Sequence, residues 1–517
     1  MAMSQQSTLL KSRPYWDLDV TKALNSIKPG HSDIILFAII FSVSAVCYSS
    51  LISGVVLTNH TVPNAFSYEY PSYKTLGEGR WFGDLLIKLQ GGGNQSFVSV
   101  IGFAIQALNG LLFAQLLGVK SVAQRAALAL IVALHPIFVD YYAFTADAAF
   151  LTFGDTLILM GALIICRSKA SLYAGAAAAM LFTLALAIYQ PKISLIAVIL
   201  AGGLIHHLLT HPLASFKTKA ITAAAAAIGG IAIYLLTAKL VIVHDDPVRG
   251  HLNGPAAMFE AALHSYRAVL EQGWRLTTNL PAIATISALF IVGGGLATAI
   301  YKSARQGITV AILTAALIIC LPIAIRLSFL VNQMTWENVG RVSPGYAYAF
   351  AICAALFMQS WHRLGTVCAA GAIYGFAVIA IQENSLMQMK NMYEVSHINR
   401  VLTHIERLLP DRKTRPLVVV GKVSLTEPNR VLSFPNRPFR PNTGSPAFAA
   451  YRQPDMANFF IGYKAFRHPT RDEAASVRQD LQGRPIWPAA GSVYLLGDIV
   501  VVKLEEDGPN VPTTSAR

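Results

Sequence analysis

The chain alternates long apolar runs with short polar connections. About eleven runs approach the ~20 residues that carry a helix across a bilayer: 34–57, 97–119, 126–144, 147–166, 171–190, 192–209, 220–243, 280–301, 308–331, 343–360 and 365–382. Lipid satisfies no backbone polar group, so a crossing segment must be a helix or part of a closed barrel. The runs lack the two-residue alternation of barrel strands. The pattern therefore predicts a mainly α, polytopic transmembrane protein. Two pairs of runs nearly abut, around Thr145-Ala146 and around Pro191.

Three connections are longer. Within 58–96, the stretch Gly79–Gln90 reads as an amphipathic helix. Trp81, Leu85 and Leu89 form one stripe, and Arg80, Asp84 and Lys88 form another at i,i+4 spacing. Such a helix lies along the membrane surface with its Trp at headgroup level. Within 244–279, Met258, Phe259, Ala262, Tyr266 and Leu270 predict a second surface helix. Beyond the last run the composition changes. A helix is expected over 384–409, with Met392, Ile398, Val401, Leu402, Ile405 and Leu408 along it and Pro410 at its end. A β-branched strand follows at Leu417–Val423, then a Pro/Asn-rich stretch at 428–446. Ser492–Leu496 and Ile499–Leu504 flank Gly497-Asp498, a hairpin turn signal. The expected organisation is a cytoplasmic segment 1–33, a membrane domain 34–382, a small α/β domain 383–505 and a disordered end 506–517.

Composition agrees with the pattern. Hydrophobic residues make up 54% of the 517 residues and charged residues 13%, against about 25% charged in soluble chains. A net charge of +14 suggests nucleic acid in a soluble protein, but its distribution here sets membrane orientation instead. With Lys11, Arg13, Lys22 and Lys28 in the cytoplasm, the later cytoplasmic connections carry Lys120, Arg125, Arg167, Lys169, Lys217, Lys219, Lys302, Arg305 and Arg363 and no acid. The opposite connections carry Glu69, Glu78, Asp84, Asp140, Asp147, Asp245, Asp246, Glu260, Glu271 and Glu337. This is the positive-inside asymmetry, and it places the C-terminal segment outside. Cys47, Cys166, Cys320, Cys353 and Cys368 all lie in or beside apolar runs and read as buried hydrophobes. No cleavable signal peptide is expected, because the first apolar run is long enough to span.

The outer rim carries the candidate chemistry. Glu69 lies between Tyr68 and Tyr70, a setting for a general base, or else is a solvated loop acid. Asp140 and Asp147 bracket an aromatic turn at the membrane boundary, as catalytic acids or as interfacial anchors with Asp147 capping a helix. Asp155 lies deeper, where an acid is functional or paired. Tyr189-Gln190-Pro191-Lys192 brings polar groups to the same rim. Lys192, Arg326 and Arg341 are candidate cations for a lipid phosphate, and Arg326 is deep enough to need a partner. Glu78, Arg80, Trp81, Tyr189 and Gln190 complete the expected substrate-binding set. Arg80, Asp84 and Lys88 equally read as a surface ion-pair ladder. His206, His207 and His211 sit at the cytoplasmic end without the convergent ligands of a metal site. No cofactor is implied, and a divalent metal is not indicated by any ligand spacing. No Walker loop or dinucleotide fingerprint is present.

Gly79-Arg80-Trp81 followed by Asp84-Leu85-Leu86, the series Pro136, Asp140, Phe144 and Asp147, and the pair Tyr189-Gln190 resemble the bacterial and phage O-antigen glucosyltransferase family of the type II Gtr kind. Asn384, Tyr393, Trp487-Pro488, Ser492-Val493, Gly497-Asp498 and Lys503 resemble its tail. The resemblance spans about 34–505 and implies a GT-C glycosyltransferase plan in a bacterial inner membrane. It implies a hexose, glucose for this family, carried on undecaprenyl phosphate. It also implies a surface-polysaccharide acceptor outside the cytoplasm, transfer with inversion, and an essential acid in the first outer loop. The wider superfamily often carries an Asp-Asp pair there, and this loop has Glu69 and Glu78 instead. Glu69 is the expected base, because Glu78 adjoins the Gly-Arg-Trp helix start and suits its dipole. A flippase or transporter for a lipid-linked sugar is the main rival, and it predicts inverted repeats, of which the chain has none. A GT-C enzyme with a protein or lipid acceptor shares every feature above and stays open.

Overall fold

Each apolar run falls on one or more helices in the computed structural model, which describes residues 30–53, 72–90, 95–143, 147–168, 171–242, 253–331, 340–409, 411, 413–421 and 453–504. In chain order the helices are α1 His31–Cys47, α2 Ser49–Ser53, α3 Ser72–Gly77, α4 Trp81–Gln90, α5 Gln95–Leu116, α6 Val122–Leu134, α7 Val139–Ala143, α8 Ala148–Arg167, α9 Leu172–Ile188 and α10 Lys192–Thr210. They continue with α11 Leu213–Val241, α12 Pro255–Thr278, α13 Ala282–Gln306, α14 Ile308–Ile325, α15 Leu327–Val331, α16 Gly345–Ser360 and α17 His362–Leu408. Seven of these are long and apolar enough to cross a membrane: α5, α8, α10, α11, α13, α14 and α17. The apolar helices α1, α6, α9 and α16 are shorter. The Glu69 loop, Trp336-Glu337, the stretch 428–446 and the end 506–517 lie outside the described residues.

Prolines set the breaks that matter. A residue before Pro is pushed out of the helical region. His135 before Pro136 sits at φ −54°, ψ 128° and ends α6. Its Nδ1 accepts from the Ile137 N–H at 3.3 Å, a 3-10 turn follows at Pro136–Phe138, and α7 begins. Just past α9, Tyr189 turns to φ −159°, ψ 111°, and Gln190-Pro191 lead into α10. Both breaks leave polar side chains at one end of the bundle.

Small residues allow close helix approach, the usual device where lipid supplies no hydrophobic drive. A Cβ on Gly110 of α5 would lie 2.7 Å from the Ala129 Cα of α6, and one on Gly295 of α13 would lie 2.5 Å from the Cys353 carbonyl of α16.

The sequence separates a span at 365–382 from a tail helix at 384–409. The structure joins them as α17, a single helix of 47 residues, about 70 Å long at 1.5 Å per residue. Polar side chains after residue 382 end the expected span, but nothing there breaks backbone hydrogen bonding. The end of α17 packs on a four-stranded sheet formed by β1 Arg415–Val420, β2 Phe466–Arg467, β3 Val493–Leu496 and β4 Ile499–Lys503. Strand order is β2-β1-β4-β3. β1 is parallel to both neighbours, and β3-β4 is an antiparallel hairpin with Leu496 opposite Ile499. Its turn uses Gly497 at φ 59°. β1 begins and ends earlier than the expected 417–423. Side chains alternate across the sheet as the strand pleat requires. Leu417, Val419, Val500 and Val502 face Ile398, Val401, Leu402 and Ile405 of α17 and Met456 of helix α18 Gln453–Ile461. Val418, Val420 and Val501 face Ala474, Val477 and Leu481 beside helix α19 Arg471–Asp480.

Candidate active site

Two glycines seat α4 against the bundle. Gly79, at φ 71°, adopts a left-handed conformation that other residues resist. A Cβ there would stand 3.0 Å from the Tyr234 hydroxyl and 3.3 Å from Ala238 Cβ on α11. A Cβ on Gly83 would stand 3.2 Å from the Ile188 carbonyl at the end of α9. This seating delivers Arg80 to the Tyr189-Gln190 break. Its Nε donates to Gln190 Oε1 at 3.2 Å, and its guanidinium carbon lies 4.8 Å from the Tyr189 ring centroid. One terminal nitrogen is 2.9 Å from Glu78 Oε2. The Gln190 amide donates in turn to the Glu78 backbone carbonyl. Trp81 Nε1 donates to Thr237 Oγ1 at 3.2 Å. Glu78, Arg80, Trp81, Tyr189 and Gln190 are thus assembled as one group.

The expected Arg80-Asp84-Lys88 ladder is only half formed. Asp84 pairs with Lys88 at 2.8 Å and accepts from Thr75 Oγ1 at 2.6 Å. Arg80 instead turns to Gln190 and Glu78.

Lys192 corrects the sequence reading. It was expected on the rim as a phosphate-holding cation. Its side chain is 1% exposed and pairs with Asp155, which is fully buried. An ammonium has three N–H donors, and the Lys192 ammonium has three acceptors: Asp155 Oδ1, the Tyr141 hydroxyl at 2.9 Å and the Leu151 carbonyl at 2.7 Å. No donor is left for a phosphate. Asp155 meets the expectation for a deep acid by being paired. Its second oxygen, Oδ2, has no hydrogen-bond partner among the described residues.

The other candidates gather at the same end. α7, which carries Asp140, packs against the 3-10 turn Gly340–Val342, which carries Arg341. The side chain of Asp140 lies outside the described residues. Asp147 occupies the N-cap of α8 but makes no capping hydrogen bond with its side chain, so the capping role expected of it is not realised. Arg326 sits at the break between α14 and α15 and is 2% exposed. Its guanidinium carbon is 4.3 Å from the Phe329 ring centroid, and Tyr346 stands beside it. Ser328, two residues on, donates its backbone N–H to Ser194 Oγ of α10 at 2.9 Å. Arg326 and Lys192 each lie two residues from this Ser328–Ser194 contact.

Sequence reasoning missed two buried acids on α17. Glu383 is 4% exposed and Glu394 3%. Phe376 packs on His135 at 4.9 Å, and Gln388 donates to the Ser50 carbonyl. Glu383 lies between these levels on α17, a helix that also meets Pro136–Phe138 and α7. The signal was present in the periodicity of Phe376, Ala380, Glu383 and Met387, which continues the core-facing stripe past residue 382. A second set, Gln106, Asn109, Thr152 and Thr156, forms a buried polar row between α5 and α8. Asn109 donates to Gln106 at 3.0 Å and to the Thr152 carbonyl at 2.9 Å, and accepts from Thr156 at 2.7 Å.

At the opposite end, His207 stacks on His211 at 4.3 Å and meets Ser215. Among the described residues no three His, Cys, Asp or Glu side chains converge to hold a metal ion.

The family described as Glucosyl transferase GtrII matches residues 70–358, more than half of the 517-residue chain. The chain belongs to this family. No curated protein and no solved structure matches it. The GtrII chain is a glycosyltransferase, and its seven long apolar helices fit a membrane protein. The matched span of the GtrII family includes Glu78, Arg80, Asp140, Asp147, Lys192, Arg326 and Arg341. Glu69 falls one residue before it, and Glu383 and the sheet lie after it.

Proposed function

We propose that this GtrII chain moves a glucosyl unit from a polyprenyl-phosphate donor to a surface-polysaccharide acceptor. The transfer takes place at the non-cytoplasmic face of a bacterial inner membrane. In this reading the N-terminus is cytoplasmic, and residues 383–505 form an α/β domain on the side of the reaction. One observation carries the reading: the acid-bearing helix α7 and the Arg341 turn are packed on each other at one end of an apolar bundle. That end also holds Gln190, Arg80, Arg326 and Lys192.

The chemistry follows from charge. An acceptor hydroxyl oxygen attacks the anomeric carbon from the face opposite the phosphate, and the bond from that carbon to the phosphate oxygen breaks. The electron pair leaves with the polyprenyl phosphate, whose charge Arg341 and Arg326 compensate. The hydroxyl proton goes to a carboxylate acting as general base. Among the described acids at this end, Asp140 is the base this arrangement favours, because its helix packs against the Arg341 turn. Asp147, at the N-cap of α8, and Glu69, the base expected from the sequence, are the alternative bases.

Comparison of surface polysaccharide from cells with the chain, without it, and with Asp140→Asn or Arg341→Ala tests the reading. Loss of a glucose branch in the deletion and in both correctly inserted variants supports it. Unchanged branching in the deletion overturns it.

A further inference from the structure

We propose that Lys192 is a positioning residue that acts through the Tyr141 hydroxyl to set the place of the Asp140 helix. This inference rests on Asp140 being the base.

α7 has five residues. A helix that short has no stability of its own in isolation, so tertiary contacts must fix it. Tyr141, directly after Asp140, is fully buried and packs edge-on against Phe138 at 5.1 Å. Its hydroxyl meets the Lys192 ammonium at 2.9 Å, and that ammonium lies 4.8 Å from the Tyr141 ring centroid. The other two Lys192 donors go to the Leu151 carbonyl and to Asp155, both on α8, whose N-cap is Asp147. Lys192 itself opens α10, two residues after the Gln190 that holds Arg80. One ammonium therefore ties together the element carrying Asp140, the first turns after Asp147, and the loop holding the Glu78-Arg80 group.

A pair that served stability alone is poorly explained. Burying an ion pair costs desolvation that mutual attraction seldom exceeds, and apolar replacements of such pairs are often neutral or stabilising. Charges within the membrane are costly as well, and the second Asp155 oxygen has no hydrogen-bond partner among the described residues. What the pair supplies that apolar residues do not is a directed donor pointing at Tyr141.

The test uses the full chain in proteoliposomes with polyprenyl-phosphate glucose and purified polysaccharide. Two variants separate position from stability. Tyr141→Phe keeps the ring and the ion pair but removes the link. The double variant Lys192→Met with Asp155→Leu removes the charges and the link together. Displacing a reacting group by about 1 Å costs up to about a hundredfold in rate. We therefore expect kcat to fall about tenfold to a hundredfold in both variants. KM for the donor should stay within about twofold, and thermal melting in detergent should match the parent in the double variant and fall modestly in Tyr141→Phe, which leaves one buried Lys192 donor unmatched. Full kcat in Tyr141→Phe, or in a double variant that melts like the parent, overturns the proposal. Asp140→Asn, measured alongside, separates the two levels. If it is inactive while Tyr141→Phe is fully active, the positioning role fails and the base assignment stands. If it is fully active, the base assignment fails and the positioning role with it.

Discussion

Gln190 is the joint between Arg80 and Glu78: its amide oxygen accepts from Arg80 Nε at 3.2 Å, and its amide nitrogen donates to the Glu78 carbonyl. The residues are far apart in sequence, and the Pro191 break brings them together. Gln190→Leu keeps the bulk and removes both partners. Leaving a buried polar group unmatched costs about 1–3 kcal/mol, so the Glu78–Arg80 segment should loosen. The expected result is faster tryptic cleavage at Arg80 and a loss of transfer. Unchanged cleavage and transfer would show that the joint is incidental.

Arg80 also stacks on Tyr189, which a lysine does not reproduce, because the planar guanidinium both stacks and forks its donors. Arg80→Lys should therefore lose most of the transfer lost by Arg80→Ala, as read by glucose incorporation. Recovery to the parent level would reduce the role of Arg80 to charge alone.

Gly79→Ala is predicted to destabilise for two separable reasons. Its left-handed backbone costs an alanine about 1–2 kcal/mol, and the new Cβ meets the Tyr234 hydroxyl at 3.0 Å. Adding Tyr234→Phe removes the second cause and leaves the first. Thermal melting in detergent should fall in Gly79→Ala and recover only in part in the double variant.

In the sheet region, Glu473 is hydrogen-bonded by Arg467 at 2.6 Å and 2.9 Å and by the Thr470 backbone at 2.7 Å. Arg467 first, then the Thr470 backbone, hold its carboxyl down to about 2. A depressed folded pKa stabilises above the unfolded carboxylate value of about 4.3, and the contribution is lost as pH falls from there toward 2. Amide protection in α19, relative to intrinsic exchange, should therefore fall more steeply as pH drops between those limits in the parent than in Glu473→Gln. Equal slopes would remove the Arg467 pairing from the account.

Most helices were legible because apolar runs carry their own length, and Pro191 announces its break, whereas the break at Pro136 falls inside the expected run 126–144 and was missed. The partner of Lys192 was not legible. Asp155 is 37 residues away in sequence, and only the packing of α8 on α10 decides that the lysine turns inward rather than toward a phosphate. Arg326 was legible as a deep charge in need of company, though its neighbours Phe329 and Tyr346 were not. Glu383 was missed because polarity after residue 382 reads as the end of a span, whereas helical hydrogen bonding continues regardless. Gly79-Arg80-Trp81 and Tyr189-Gln190 were each visible as motifs, but their union depends on two glycine contacts that no spacing records.

The most direct measurement is glucose transfer from polyprenyl-phosphate glucose to polysaccharide by the purified chain in proteoliposomes, comparing the parent with Asp140→Asn. The account predicts transfer with stoichiometric release of polyprenyl phosphate by the parent, and a rate about 10² to 10⁴-fold lower in the variant, the range for loss of a general base. A variant as fast as the parent, or a parent that leaves both substrates unchanged, would contradict it.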